Sequence, residues 1–259
     1  MSTCIIVPCY NEENRLPVEE FRDFVAYREN IDFLFVNDGS RDGTERLLTS
    51  LCEANAPHIF LLNLSRNSGK AEAVRQGCLK AFEQNYRYVG YWDADLATPL
   101  SAILELASIL DDSPSINIVM GTRVKLLGRK IVRYEIRHYF GRVFATLASI
   151  ILRLGVYDTQ CGAKLFRSSE AIREVFQRPF LSRWAFDVEL IARYLKMNPE
   201  NRYSIYEYPL FQWVDIRGSK IRPWDLARIG YDLARIFVRY GIFRNTTMIP
   251  LSEGESNEK

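Results

Sequence analysis

Tyr91-Trp92-Asp93-Ala94-Asp95-Leu96-Ala97-Thr98-Pro99 is the stretch on which the reading of this chain turns. The aromatic, apolar run in front of the acids, Tyr88-Val89-Gly90-Tyr91-Trp92, reads as a buried strand, and Thr98-Pro99 signals a turn soon after. Residues i and i+2 of a strand share a face, so Asp93 and Asp95 are expected to aim together. At the carboxyl end of a strand in an open α/β sheet, such a pair faces the crevice where ligands bind. Two hard oxygen donors this close suit Mg²⁺ or Mn²⁺ carrying a diphosphate. Two acids that merely cap a turn would look the same in isolation, so the rest of the chain has to decide.

Upstream, Cys4-Ile5-Ile6-Val7-Pro8, Phe33-Leu34-Phe35-Val36 and Ile59-Phe60-Leu61-Leu62 read as three further buried strands. Each runs out into polar residues, at 9–15, 37–44 and 65–70. Helices are expected from Val18, after a cap at Asp42 or Thr44, and over about residues 71–84. Strands alternating with helices predict a mostly parallel sheet with right-handed crossovers, which puts all four polar strand ends on one edge. No G-x-G-x-x-G follows the first strand and no G-x-x-x-x-G-K-[ST] occurs, so the dinucleotide-binding and P-loop solutions are excluded. A diphosphate must then be held another way, and a metal on Asp93 and Asp95 is the obvious one.

Downstream, Ile116-Asn117-Ile118-Val119-Met120 predicts a fifth strand, ending at Gly121-Thr122-Arg123. Arg123, Lys125, Arg129, Lys130, Arg133, Arg137 and Arg142 follow, against only Glu135. This basic run leads into the apolar, helix-like residues 143–152, which favours an anion and membrane-surface patch over a merely solvated face. Residues 158–166 read as a loop entering a short strand, and 168–176 as a helix. Asp187 and Glu189 open another helix, where acids also suit the macrodipole. Residues 204–209 read as a strand, 212–220 as a basic loop and 224–243 as a helix with an apolar stripe. The expected organisation is one globular domain over 1–225, an amphipathic helix and extension over 226–251, and a disordered polar tail over 252–259.

The composition bounds the remaining choices. At 259 residues, with 47% hydrophobic and 25% charged residues, the chain can bury a full core. A formal net charge of +2 gives no general case for nucleic-acid binding. Five cysteines without a C-x-x-C pair argue against a zinc site or disulfide framework and fit a reducing cytosol. No basic, apolar leader is visible, and no stretch approaches the twenty or so apolar residues that cross a bilayer. The expected location is cytoplasmic, peripheral on the inner face of a membrane. Oligomeric state is not legible.

Val7-Pro8-Cys9-Tyr10-Asn11-Glu12, Val36-Asn37-Asp38-Gly39-Ser40, Asn67-Ser68-Gly69-Lys70 and Asp93-Ala94-Asp95 fall in an order and spacing that resembles the family 2 glycosyltransferases of the GT-A fold. Within that family the chain is most similar to the polyprenyl-phosphate sugar synthases, the dolichyl-phosphate β-glucosyltransferase group in particular. The narrower likeness rests on Asp158-Thr159-Gln160-Cys161-Gly162-x-Lys164-Leu165-Phe166, on Phe186-Asp187-Val188-Glu189-Leu190 and on Trp213 with Gly218-Ser219-Lys220. It covers roughly residues 4–225.

The resemblance implies that Pro8, Tyr10 and Glu12 line a nucleobase and ribose pocket. Asp38 would accept a hydrogen bond from the base, with Lys70 beside it. Asp93 and Asp95 would hold ribose and the metal-bound diphosphate, Arg123 and Arg137 the acceptor phosphate, and Lys220 the donor diphosphate. Asp187, with Asp158 as the other choice, would be the base if the acceptor were a hydroxyl. The implied reaction is inverting transfer of a sugar, glucose from UDP-glucose, to a polyprenyl or dolichyl phosphate. The alternative is a saccharide hydroxyl acceptor. Two departures stand out: Gly141 sits where related mannosyl synthases often carry serine, and their arginine before the Gly-x-Ser-Lys loop has only Arg217 as a counterpart.

Overall fold

The computed structural model describes residues 2–55, 57–133, 135–216 and 223–241, with 135–138 and 223–227 in backbone only. In chain order the elements are β1 (Thr3–Cys9), α1 (Val18–Ala26), β2 (Ile31–Asn37), α2 (Thr44–Ala54), β3 (Ile59–Asn63), α3 (Lys70–Glu83), β4 (Tyr88–Trp92), α4 (Ala102–Asp112) and β5 (Ile118–Thr122). Then come β6 (Lys130–Val132), α5 (Glu135–Leu152), β7 (Ala163–Arg167), α6 (Glu170–Gln177), α7 (Phe186–Met197), β8 (Ile205–Pro209), β9 (Gln212–Val214) and α8 (Pro223–Tyr240).

The central sheet has seven strands in the order β3-β2-β1-β4-β7-β5-β8. Pairings β3-β2, β2-β1, β1-β4 and β5-β8 are parallel, and β7 lies antiparallel between β4 and β5. The sheet is therefore mostly parallel, as expected. The reversed β7 brings the 158–162 loop to the same edge as the ends of β1, β2 and β4. Two parts of the reading change: the basic run after Arg123 contains β6, and the segment expected as a loop from 212 opens with β9. These pair as a separate two-stranded sheet.

Side-chain alternation along β1 explains why the sheet sits between two apolar layers. Cys4 and Ile6 join one buried cluster, with residues of α3, α5, α6, α7 and α8. Ile5, Val7 and Cys9 join the other, with residues of α1, α2 and α4. Phe21 of α1 meets Phe33 and Phe35 of β2 edge-to-face at 5.2 and 5.0 Å. Each such buried ring contributes about 1.5–3 kcal/mol. Cys4 and Cys9 are 2% and 1% exposed, and burial pushes both thiols far up, so they are inert core residues. Asp42 accepts from the Thr44 N–H at 3.1 Å in the turn before α2, but the residue at the helix cap is Gly43, not Asp42 or Thr44 as expected.

Candidate active site at the carboxyl edge of the sheet

β4 stops at Trp92, so Asp93 and Asp95 occupy the turn beyond the strand rather than one strand face. What aims them is the turn itself. The Asp93 N–H donates to the Gly162 carbonyl at 3.1 Å, and Asp95 Oδ1 accepts from the Ala97 N–H at 3.1 Å. Leu96, between Asp95 and Ala97, is left-handed, with φ of 52°. Asp93 lies so close over Gly162 that an added Cβ would collide with its carboxylate, which is why glycine follows Cys161. Lys70, the first residue of α3, ion-pairs with Asp93. Burial works against the Asp93 charge, but Lys70, Lys164 and Arg123 hold its carboxyl below the usual range. For Asp95, burial and the Asp93 charge push the carboxyl up.

Glu12 closes this corner from the β1 side. Its N–H is held by Thr44 Oγ1 at 2.8 Å, and its Oε1 takes Arg15 at 2.6 Å, while the buried Oε2 finds no hydrogen-bond partner among the described residues. Burial raises the Glu12 carboxyl despite Arg15, with Asp95 and Asp42 adding to the rise. Pro8 is a β1 residue paired with Val36, and Tyr10 follows at the mouth, exposed. Asp38 has a task that the resemblance did not supply. It is buried, and its two oxygens accept the Ser68 and Gly69 N–H groups, each at 2.7 Å. It thereby fixes the loop that delivers Lys70.

Asp187, in the first turn of α7, reaches back under the sheet edge. Its Oδ1 takes the Tyr91 hydroxyl and lies 2.7 Å from Lys164 Nζ; among the described residues its Oδ2 has only Gln160 Nε2, at 3.4 Å. Lys164 is fully buried and also donates to the Cys161 carbonyl at 2.6 Å. Burial and then Asp187 raise the Tyr91 hydroxyl well above its ordinary value, so it stays a donor. Asp187 also acts on Lys70, whose affinity for its proton is raised by Asp93, Asp187 and Asp95 against the effect of burial. The two donors on Oδ1 fix the orientation of the carboxylate.

Arg123 and Asp158 turn out to be partners of each other. Arg123 Nε and Nη2 meet the two Asp158 oxygens at 2.6 and 2.8 Å, and the Arg123 N–H adds a third bond at 3.2 Å. Burial opposes the Asp158 charge, yet Arg123 keeps the carboxyl low. This corrects the expectation of Asp158 as a base: all its capacity is committed, including a bond from the Gln160 N–H. Arg123 is correspondingly less free for an acceptor than expected, and its guanidinium stacks on Trp213 of β9 at 5.1 Å. Because the Val214 N–H donates to the Ala97 carbonyl at 3.1 Å, the small sheet is tied directly to the Asp93–Asp95 turn. Lys220 and the side chain of Arg137 lie outside the described residues.

Lys164, Tyr91 and Trp213 were not singled out as site residues by the sequence. A lysine inside an otherwise apolar strand is the one signal that could have flagged Lys164, since buried lysines require a charge partner.

Among the described residues no cluster of three or more His, Cys, Asp or Glu side chains forms a complete metal cage. The donor set still fits a hard divalent cation that brings its own phosphate oxygens. Asp95 and Glu12 both have raised carboxyls and feel one another, Asp93 adds to the Asp95 rise, and Glu12 Oε2 is buried without a partner.

Comparison with known proteins agrees with this geometry. Residues 4–175 match the family described as Glycosyl transferase family 2. A dolichyl-phosphate beta-glucosyltransferase of Trichomonas vaginalis is 33% identical over 98% of this chain and 77% of its own. The dolichyl-phosphate beta-glucosyltransferase of Homo sapiens is 34% identical over 91% of this chain and 75% of its own. Among solved structures, the glucosyl-3-phosphoglycerate synthase from Mycobacterium tuberculosis with Mn²⁺, UDP and glucosyl-3-phosphoglycerate superposes with a TM-score of 0.66. It is 17% identical and covers 95% of this chain and 81% of that one, a likeness of fold.

Proposed function

The chain belongs to glycosyl transferase family 2, and from that premise we propose that it transfers glucose from UDP-glucose to a dolichyl or other polyprenyl phosphate. It is a glycosyltransferase of the GT-A fold. The observation that carries the acceptor reading is the likeness to dolichyl-phosphate beta-glucosyltransferases over 91–98% of this chain. A hydroxyl acceptor needs a base, for which Asp187 has only Oδ2, since Tyr91 and Lys164 hold its Oδ1. A phosphomonoester is anionic near neutral pH and needs none.

The reaction is then a direct displacement. An acceptor phosphate oxygen attacks the anomeric carbon, the bond from that carbon to the diphosphate oxygen breaks, and UDP departs with inversion. Asp93 and Asp95 would hold a divalent cation, Mg²⁺ or Mn²⁺, which when bound would neutralise charge on the leaving diphosphate. The remaining work belongs to the chain. Lys70, fixed in its charged form beside Asp93, offers a cation to the donor side. Glu12 Oε2 offers an unpaired acceptor on the donor side, while Asp187 pairs with Lys164 and acts on Lys70 through space.

The acceptor's lipid tail is met, in this reading, at a membrane surface on the cytoplasmic side. No described helix is long and apolar enough to cross a bilayer. Instead α5 carries Phe140, Val143, Leu147 and Ile150 exposed along one stripe, while Ala145, Ala148 and Leu152 are buried on its other side. Leu127, in the loop before β6, is fully exposed beside exposed Lys125 and Lys130. An exposed apolar stripe, together with exposed lysines around Leu127, suits an anionic lipid surface.

The test is incubation with Mg²⁺ or Mn²⁺, a panel of labelled sugar nucleotides and a short polyprenyl phosphate, followed by organic extraction. Label entering the organic phase from UDP-glucose supports the proposal. Metal-dependent nucleotide binding without lipid product overturns it in favour of a saccharide acceptor.

A further inference from the structure

The loop before β7 is pinned along its main chain on both sides of Gln160. Glu207 of β8 takes the Tyr157 and Asp158 N–H groups at 2.9 Å, and Asp158 Oδ1 takes the Gln160 N–H at 3.1 Å. Lys164 Nζ donates to the Cys161 carbonyl at 2.6 Å, and the Gly162 carbonyl takes the Asp93 N–H at 3.1 Å. Thr159 and Cys161 are buried, so Gln160, half-buried, is the one of the three whose side chain reaches the surface of the site.

That side chain is well placed and little used. Gln160 Nε2 donates to Asp187 Oδ2 at 3.4 Å, and among the described residues the amide makes no other hydrogen bond. Its carbonyl oxygen and second N–H are left for a ligand, as is the spare capacity of Asp187 Oδ2, because Tyr91 and Lys164 occupy Oδ1. A carbonyl acceptor, an N–H donor and a carboxylate oxygen side by side match hydroxyl groups, each of which both donates and accepts. A diphosphate calls for cations instead, and one stands next door: Lys70 pairs with Asp93 and feels the charge of Asp187. The Gln160–Asp187 pair therefore borders the corner assigned to the diphosphate, and the next group along the donor is its sugar.

We propose that Gln160, with the open oxygen of Asp187, contacts the hydroxyls of the donor's hexose and discriminates between sugars. This rests on the nucleotide-sugar reading above and adds to it a specificity-determining residue. A neutral amide suits the task, because it selects by hydrogen bonding without placing further charge beside the leaving group.

Calorimetric titration with Mn²⁺ present tests this on the parent protein, Q160A and Q160M, the last keeping the length of the side chain without its polar end. The ligands are UDP, UDP-glucose and three donors that each alter one ring position: UDP-galactose, UDP-N-acetylglucosamine and UDP-xylose. UDP should bind all three proteins alike. Both variants should bind UDP-glucose about fivefold or more weakly. At least one altered donor should lose less than about twofold, because it already lacks the contact in the parent.

An unchanged affinity for UDP-glucose overturns the proposal, and a fall in turnover alone makes Gln160 a positioning residue for Asp187. Equal weakening of all four sugar donors overturns its part in choosing the sugar. Weaker UDP binding in both variants assigns Gln160 to the diphosphate corner and overturns it as well. A parent protein that binds UDP-glucose but forms no lipid product leaves these outcomes readable and overturns the acceptor reading alone. A parent that binds neither UDP nor UDP-glucose overturns the reading on which the proposal rests.

Discussion

Two kinds of carboxylate meet at this sheet edge, and their responses to neutralisation should be opposite. Asp158 is held low by Arg123, so its contribution to stability is present above the unfolded carboxylate value and is lost as pH falls through the lower native one. Asp158→Asn leaves Arg123 buried without its counter-charge, and urea unfolding at neutral pH should show a loss of about 3–5 kcal/mol. The acid limb of its stability–pH curve should flatten as well. Asp95 is raised by burial and by Asp93, so its contribution is lost as pH rises through the native value, and at neutral pH its charge weighs against folding. Asp95→Asn should therefore leave the metal-free protein as stable or more so, while turnover falls by at least about a hundredfold. A destabilised but active D95N would overturn its assignment to the donor side. Asp93 and Asp95 were legible as a pair because of their spacing. The commitment of Asp158 was not, because its partner lies 35 residues away and only the reversed β7 brings the two together.

At the scale of elements, the sequence showed its strands clearly where they are buried on both faces, as in β1, β2 and β4. Continuous apolar runs ending in polar turns have few other readings. Three-residue β6 and β9 carry no such run, and their pairing depends on chain segments about eighty residues apart, so they were invisible as strands. α5 was read correctly as apolar and helix-like, but only the structure separates its buried side from the exposed stripe of Phe140, Val143, Leu147 and Ile150. If that stripe lies on lipid, the V143S/L147S/I150S variant should lose about tenfold or more of its partitioning onto phosphatidylserine-containing vesicles in a flotation assay. Its turnover of a short, water-dispersed acceptor should persist. Equal flotation by parent and variant would remove α5 from the membrane interface.

Across the whole molecule, the site draws on the ends of β1, β2 and β4, the start of α3, the loop before β7, the first turn of α7 and the small sheet. These parts are separated in sequence by up to two hundred residues, yet they converge because the sheet is mostly parallel and its two faces are both sealed by apolar layers. A ligand bound there bridges elements from both layers, so it should stabilise the fold globally and not one loop. UDP at a hundred times its dissociation constant, with Mn²⁺ present, should add about 2.7 kcal/mol, or roughly 5–10 °C in melting temperature for a chain of this size. The shift should rise with the logarithm of UDP concentration and depend on the metal. In D93N and D95N the metal-dependent part should vanish, because the carboxylates that carry the cation are gone, while any metal-free nucleotide contact remains. Scanning calorimetry on the three proteins, with and without EDTA, separates these contributions. A shift of the same size in D95N would mean that the Asp93–Asp95 turn does not carry the cation, however well its geometry suits one.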